Sequence, residues 1–215
     1  MSDLNHVHHA NIFDPCLARR TTVIGGGAVG SVVADTLLKV GVTDLTVYDN
    51  DTVASHNASM SLYYPTDIGK PKVRALADVA ARSGIVLKAH ERHWQGDPLS
   101  GTSVAMCVHD MPTRAEIYAA VKDDPSIPIF CDSRTAGAYI EVYAINPCDE
   151  QDQRRYEALL FEEAERTEHN CGSHGIMYAS LIAASAVVAN LTRYWKTGEK
   201  RWRFSMRCDT LSPAL

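Results

Sequence analysis

The chain predicts an α/β fold: a mostly parallel sheet with helices on both faces, extended by antiparallel strand near the C-terminus. Three observations carry this reading. Short apolar runs alternate with amphipathic stretches of helical length between residues 21 and 131; Gly41 and Gly84 close two of those stretches; and beyond residue 138 the pattern becomes Ala-Tyr-Ile-Glu-Val-Tyr-Ala-Ile, the period of a half-buried strand. Strands that alternate with helices build parallel sheets, because each crossover helix covers one face.

Taken in order, an apolar strand at 21–25 enters a glycine turn, and a helix spans 28–40. Strand 44–49, helix 70–83 and strand 85–90 follow, then strand 103–108, helix 112–122 and strand 127–131. The alternating run at 138–145 adds an antiparallel strand. Residues 146–172 are polar and acidic, helix-forming around 156–165, and read as a mobile crossover segment. An apolar helix at 175–195 and a last strand at 200–206 complete the chain. Residues 1–15, with His6, His8 and His9, read as a loosely packed arm; adventitious metal binding is the simplest property of such a cluster.

At 215 residues and 46% hydrophobic, the chain is long enough for one domain over 1–215 with a sizeable core. A net charge of −5 without a basic block argues against nucleic acid as partner. The apolar stretch 175–191 is short and interrupted by Ser180, Ser185 and Asn190, so it reads as a buried helix and not a membrane span. The N-terminus lacks a signal-peptide pattern, and the six cysteines form no C-x-x-C pair. The expected setting is reducing cytoplasm, with no structural zinc.

Residues 22–31 read Thr-Val-Ile-Gly-Gly-Gly-Ala-Val-Gly-Ser. Gly25, Gly27 and Gly30 have the G-x-G-x-x-G spacing of a Rossmann-like nucleotide site: the first turns the chain, the second admits a phosphate to the backbone, the third packs helix on strand. Amides at the helix start then offer donors and a positive dipole. The next strand ends in Asp49, where this fold places a ribose-binding acid.

The continuation separates this chain from a dehydrogenase. Asp49-Asn-Asp51-Thr-Val53, then His56-Asn57, then Gly69-Lys70-Pro71-Lys72, resembles the ThiF/MoeB/HesA family, the ATP-using domain shared with ubiquitin-activating enzymes. Val104-Ala-Met-Cys-Val-His109-Asp110 followed by Arg114, and 127–132 ending in Asp132, extend the resemblance over most of residues 11–209. It implies ATP and magnesium as cofactors, a small ubiquitin-like or sulfur-carrier protein as partner, and a homodimer. It further implies nucleotide contacts from Gly25, Gly27, Gly30, Asp49, Asp51, Asn57, Lys70 and Lys72, with Asp110 as the metal-associated carboxylate. Read without the family, Lys70 and Lys72 are solvated residues at a helix start, and Asp110 before Pro112 is a helix cap.

Two features depart from the family pattern. Met60 stands where an arginine is expected, and Ser61 replaces a glutamine; no N-terminal arginine matches, His8 and His9 lying nearest. Methionine supplies no charged fork to a phosphate. Among Arg19, Arg20, Arg114 and Arg134, the favoured substitute is Arg134, placed after a strand end where loops build sites. Cys171, in Asn-Cys-Gly-Ser-His before the apolar helix, resembles the family's thioester-forming cysteine. Its bland reading is a buried residue before a helix capped by Ser173, and Cys148 is a weaker rival.

Three functions follow: an adenylyltransferase that activates a carrier's C-terminal carboxylate, a weakened relative that binds nucleotide or carrier as a scaffold, and an NAD-dependent oxidoreductase. The Asp49-x-Asp51 pair and Gly-Lys-Pro-Lys argue against the last.

Overall fold

The computed structural model describes residues 4–9, 11–165 and 175–213. Thr21–Ile24 (β1), buried throughout, is flanked in parallel by Leu45–Tyr48 (β2) and Ser103–Met106 (β4). Lys88–His90 (β3) lies outside β2, and Phe130–Ala136 (β5) outside β4, both parallel. Tyr139–Ile145 (β6), Arg203–Arg207 (β7) and Ser212–Pro213 (β8) continue the sheet antiparallel, giving the order β3-β2-β1-β4-β5-β6-β7-β8.

Helices cover both faces, which is why the central strands tolerate no polar alternation. Val23, Leu45, Val47, Ala105, Cys131 and Val142 face a core shared with Ala28–Lys39 (α1), Lys72–Ala81 (α2) and Met177–Thr197 (α5). Ile24, Val104, Met106, Phe130 and Tyr143 face a second core with Met111–Val121 (α3) and Glu150–Glu165 (α4). In that second core Tyr156 is fully buried, its ring 4.8 Å from Tyr118 and 5.8 Å from Phe130.

Several boundaries differ from the sequence reading. β5 begins at Phe130 and runs on to Ala136, because a two-residue turn at Gly137-Ala138 lets β6 pair with the polar stretch Asp132-Ser-Arg134. Gly137 sits at φ +62°, which a side chain would disfavour. α2 starts at Lys72, two residues later than expected, since Lys70 precedes a proline and Pro71 is the helix N-cap. α4 starts at Glu150, where the Asp149 carboxylate accepts from the amides of Gln151 and Asp152. Ile85 and Leu87 are buried as expected, but only Lys88–His90 joins the ladder. The last part of the N-terminal arm is tied down: Phe13 is buried at 6.0 Å from the Trp195 ring, and Lys196 Nζ donates to the Ile12 carbonyl at 2.6 Å. No helix among the described residues is long and apolar enough to cross a membrane.

Candidate nucleotide site at the carboxyl edge of the sheet

The chain leaves β1 in one direction for β2 and β3, then crosses to β4 on the other side. Such a reversal opens a crevice outside the carboxyl ends of β1 and β4, where open α/β sheets bind ligands. The three glycines of the turn differ in what they face. Gly25 has φ +96°, and a Cβ there would lie 2.7 Å from the Cys107 carbonyl oxygen. At Gly30 a Cβ would stand 1.8 Å from the Gly25 carbonyl oxygen, so only glycine lets α1 close on the turn. Gly27, the N-cap of α1, has no atom within 4 Å of where a Cβ would be. That open space lies in front of the first helix amides, which have no intrahelical acceptor.

Asp49 ties this turn to β2. One carboxylate oxygen accepts from the Gly26 amide at 2.7 Å, the other from the Asp51 amide at 2.8 Å. Lys72 enters from the first turn of α2 with its side chain only 8% exposed, its ammonium 2.7 Å from Asp51 Oδ2 and 3.9 Å from Asp49 Oδ1. The Lys72 hydrogen bond lowers the Asp51 pKa most, burial opposes it, and His109 and His93 lower it further. Tyr63, which lies within the run that resembles the family but was given no role from the sequence, donates its hydroxyl to the Gly26 carbonyl. Burial, with help from the Asp49 charge, raises its pKa and keeps it a donor. No spacing rule marks Tyr63, because its partner lies 37 residues away.

On the far side of the crevice, Asp110 caps α3 by accepting from the Thr113 amide at 2.8 Å. Burial raises its pKa, but the Thr113 hydrogen bonds outweigh this and hold the carboxyl below its ordinary value. Arg114 is buried and bonds Asp132, the Val108 carbonyl and the Ser133 carbonyl, so it locks the loop after β4 onto β5. Arg134 is corrected in position: it lies within β5 and not in a loop beyond it. Its Nε donates to Asp132 Oδ2 at 2.7 Å, and its guanidinium stands 5.0 Å from the Tyr143 ring and 5.7 Å from that of Tyr156. The Tyr156 hydroxyl also donates to Asp132, at 2.9 Å. Because Asp132 pairs with Met106, the end of β4, Arg134 extends past the parallel strands.

The other sequence candidates scatter. The Lys70 ammonium is turned to Asp67 at 3.1 Å and Asp78 at 3.4 Å on an exposed flank, so Lys72 and not Lys70 joins the Asp49–Asp51 cluster. Asn57 uses Oδ1 to accept from the Ala54 amide and cap a short 3-10 helix, Ser55–Ser59. Met60 lies against Gly175, whose added Cβ would be 2.4 Å from the methionine methyl. Gly175 also bridges Gly137, so both contacts hold the chain just before α5. Cys171 lies outside the described residues. Of the other cysteines, Cys131 is buried and Cys107 half-buried, and burial pushes the Cys107 thiol up to about 11.

A strand, glycine turn and helix beside two acids and a buried lysine define a Rossmann-like α/β domain. The chain belongs to the ThiF family, whose model matches residues 14–205. Ubiquitin-like modifier-activating enzyme 5 of Caenorhabditis elegans is 35% identical over 68 residues, which are 32% of this chain and 16% of that protein. The Caenorhabditis briggsae protein of the same name is 38% identical over 60 residues, 28% of this chain and 14% of its own length. Among solved structures, PaaA superposes with a TM-score of 0.70 at 15% identity, covering 94% of this chain and 64% of its own. Escherichia coli MccB solved with ATP gives 0.69 at 12% identity, with the same coverage. At this identity the structural likeness describes the fold, and the chain spans less than two thirds of each relative's length.

Proposed function

We propose that this chain is an ATP-dependent adenylyltransferase that activates the C-terminal carboxylate of a small ubiquitin-like or sulfur-carrier protein, or of a short peptide. The observation that carries the reading is the pairing of an open glycine turn at Gly27 with a shielded Lys72 ammonium beside Asp49 and Asp51. Family membership over residues 14–205 supports it. So does the likeness to MccB, which has been solved with AMPCPP and MccA. The reaction joins the carboxylate to AMP and releases pyrophosphate, so polyphosphate charge must be held while the α-phosphorus stays open to attack.

In this reading the Gly27 turn and the first α1 amides cradle phosphate, and Lys72 neutralises part of its charge. Asp49, already braced by two amides, presents its remaining lone pairs to the ribose diol. Asp110 would hold magnesium, whose charge offsets that of the phosphates. Among the described residues no cluster of three or more His, Cys, Asp or Glu is placed to hold a metal, so phosphate oxygens would have to complete the coordination of such an ion. Arg134 and Arg114 serve as the wall of the crevice through Asp132. Acyl transfer to Cys171, and a homodimer, remain proposals drawn from the family resemblance.

A second reading, a nucleotide- or carrier-binding scaffold, is favoured by one observation. Met60 occupies the expected arginine position and packs on Gly175. Pyrophosphate exchange separates the two. With ATP, magnesium, labelled pyrophosphate and carriers ending in Gly-Gly, carrier-dependent exchange is expected. Lys72→Ala should weaken ATP binding at least tenfold, about 1.4 kcal/mol. ATP binding without exchange across the carrier panel would favour the scaffold, and tight NADH binding without ATP binding would favour an oxidoreductase.

A further inference from the structure

We propose that Asp51 is an internal counter-ion that occupies the Lys72 ammonium until a nucleotide phosphate displaces it, and thereby limits the affinity of the cleft for polyphosphate. The inference rests on the nucleotide reading above. The Lys72 side chain is 8% exposed, whereas that of Asp51, lying 2.7 Å from its ammonium, is 58% exposed. The covering group, and not the lysine, is therefore the one with access to water. Asp49 cannot serve as the movable partner. Both its oxygens are braced by backbone amides and it stands 3.9 Å from the ammonium.

Backbone geometry confines the exchange to one side chain. The Asp51 amide is fixed on Asp49, and the Asp51 carbonyl accepts from the Lys72 amide at 2.9 Å. Rotating the carboxylate outward leaves both bonds in place and moves an already half-hydrated charge into water, a small cost compared with desolvating a buried one. A phosphate arriving with Asp51 in place would meet two carboxylates around one ammonium. Once Asp51 has swung away, the same phosphate gains a charge-assisted bond and loses a repulsive neighbour. Asp51 thus discriminates by charge: it opposes any anion at Lys72 and leaves adenosine, which has no phosphate, unaffected.

Calorimetric titration of ATP, with magnesium held constant, tests this on the whole chain with Asp51→Asn and Asp51→Ala. Both variants should bind ATP at least roughly threefold more tightly than the unaltered protein. Adenosine affinity should be unchanged. Unchanged or weaker ATP binding by variants of normal melting temperature would overturn the proposal and make Asp51 a bystander or a direct ligand. Failure of all three proteins to bind ATP would instead remove the nucleotide reading and this inference with it. A readout without substitution comes from carboxyl NMR of the unaltered protein. Saturation with ATP should bring the lowered Asp51 titration back toward the ordinary carboxylate range, with His93 and His109 followed in the same spectra. An unmoved Asp51 titration in protein saturated with ATP would equally overturn it.

Discussion

Gly27 and Gly30 show how residues of one type in one motif divide their work. A methyl group at Gly30 would overlap the Gly25 carbonyl at 1.8 Å, whereas one at Gly27 would enter open space at an ordinary φ of −75°. Gly30→Ala should therefore destabilise the fold at or beyond the upper end of the roughly 1–3 kcal/mol range for overpacking. Gly27→Ala should cost no more than about 1 kcal/mol as a poorer helix cap while weakening ATP binding, because its methyl fills the space assigned to phosphate. Urea denaturation and ATP titration of the two variants check this; a Gly27→Ala protein with full ATP affinity would remove phosphate from that turn. The spacing alone marked both glycines. It also suggested phosphate for Gly27 and packing for Gly30, but the atoms that set the cost of a methyl at each come from the rest of the fold.

Among the elements, β5 holds the most information that escaped the sequence reading. Asp132, Ser133 and Arg134 look like a loop by composition, yet they are strand, with Arg134 opposite Glu141 and Ser133 opposite Val142. A signal was present in Gly137, since glycine followed by an alternating run marks a tight hairpin. The strand carries the carboxylate that joins α3, β5 and α4: Arg114 and Arg134 pair with Asp132, and Tyr156 donates to it. Removing that carboxylate strips a buried charge network of its shared acid, so Asp132→Ala should lose about 3–5 kcal/mol in urea unfolding. Tyr156→Phe keeps the ring packing and should lose only about 1–3 kcal/mol, the cost of one buried bond. A loss below 1 kcal/mol for Asp132→Ala would mean that the network does not hold the three elements together.

At the scale of the whole molecule, several carboxylates among the described residues are held below their ordinary range by their partners. The Lys88 hydrogen bond lowers Asp44, the Arg92 hydrogen bond lowers Asp97, the Lys72 hydrogen bond lowers Asp51, and the Asp152 amide lowers Asp149. A carboxyl whose folded pKa lies below its unfolded value, about 3.9 for Asp, adds stability that is complete above that value and vanishes as pH falls through the folded one. The urea midpoint should therefore stay nearly level from pH 7 to about 5 and drop below about pH 4. A midpoint that holds at pH 3 would contradict this. Most of these pairs are exposed, so each contributes little by itself and the effect is collective.

The order of strands and helices, the glycine turn and the Asp49 end of β2 were written in the chain, because each rests on local periodicity or short spacing. The motif order carried the resemblance to the ThiF family. What only the tertiary structure decided is who meets whom. It turned Lys72 inward onto Asp51 and Lys70 outward onto Asp67 and Asp78, although the two lysines flank the same proline. It placed the Tyr63 hydroxyl on the Gly26 carbonyl, and made Arg134 a partner of Asp132 inside a strand. The reason is physical: which charges lose their water and which partners they then find depends on residues far apart in sequence, and burial, unlike periodicity, exists only once the chain has folded.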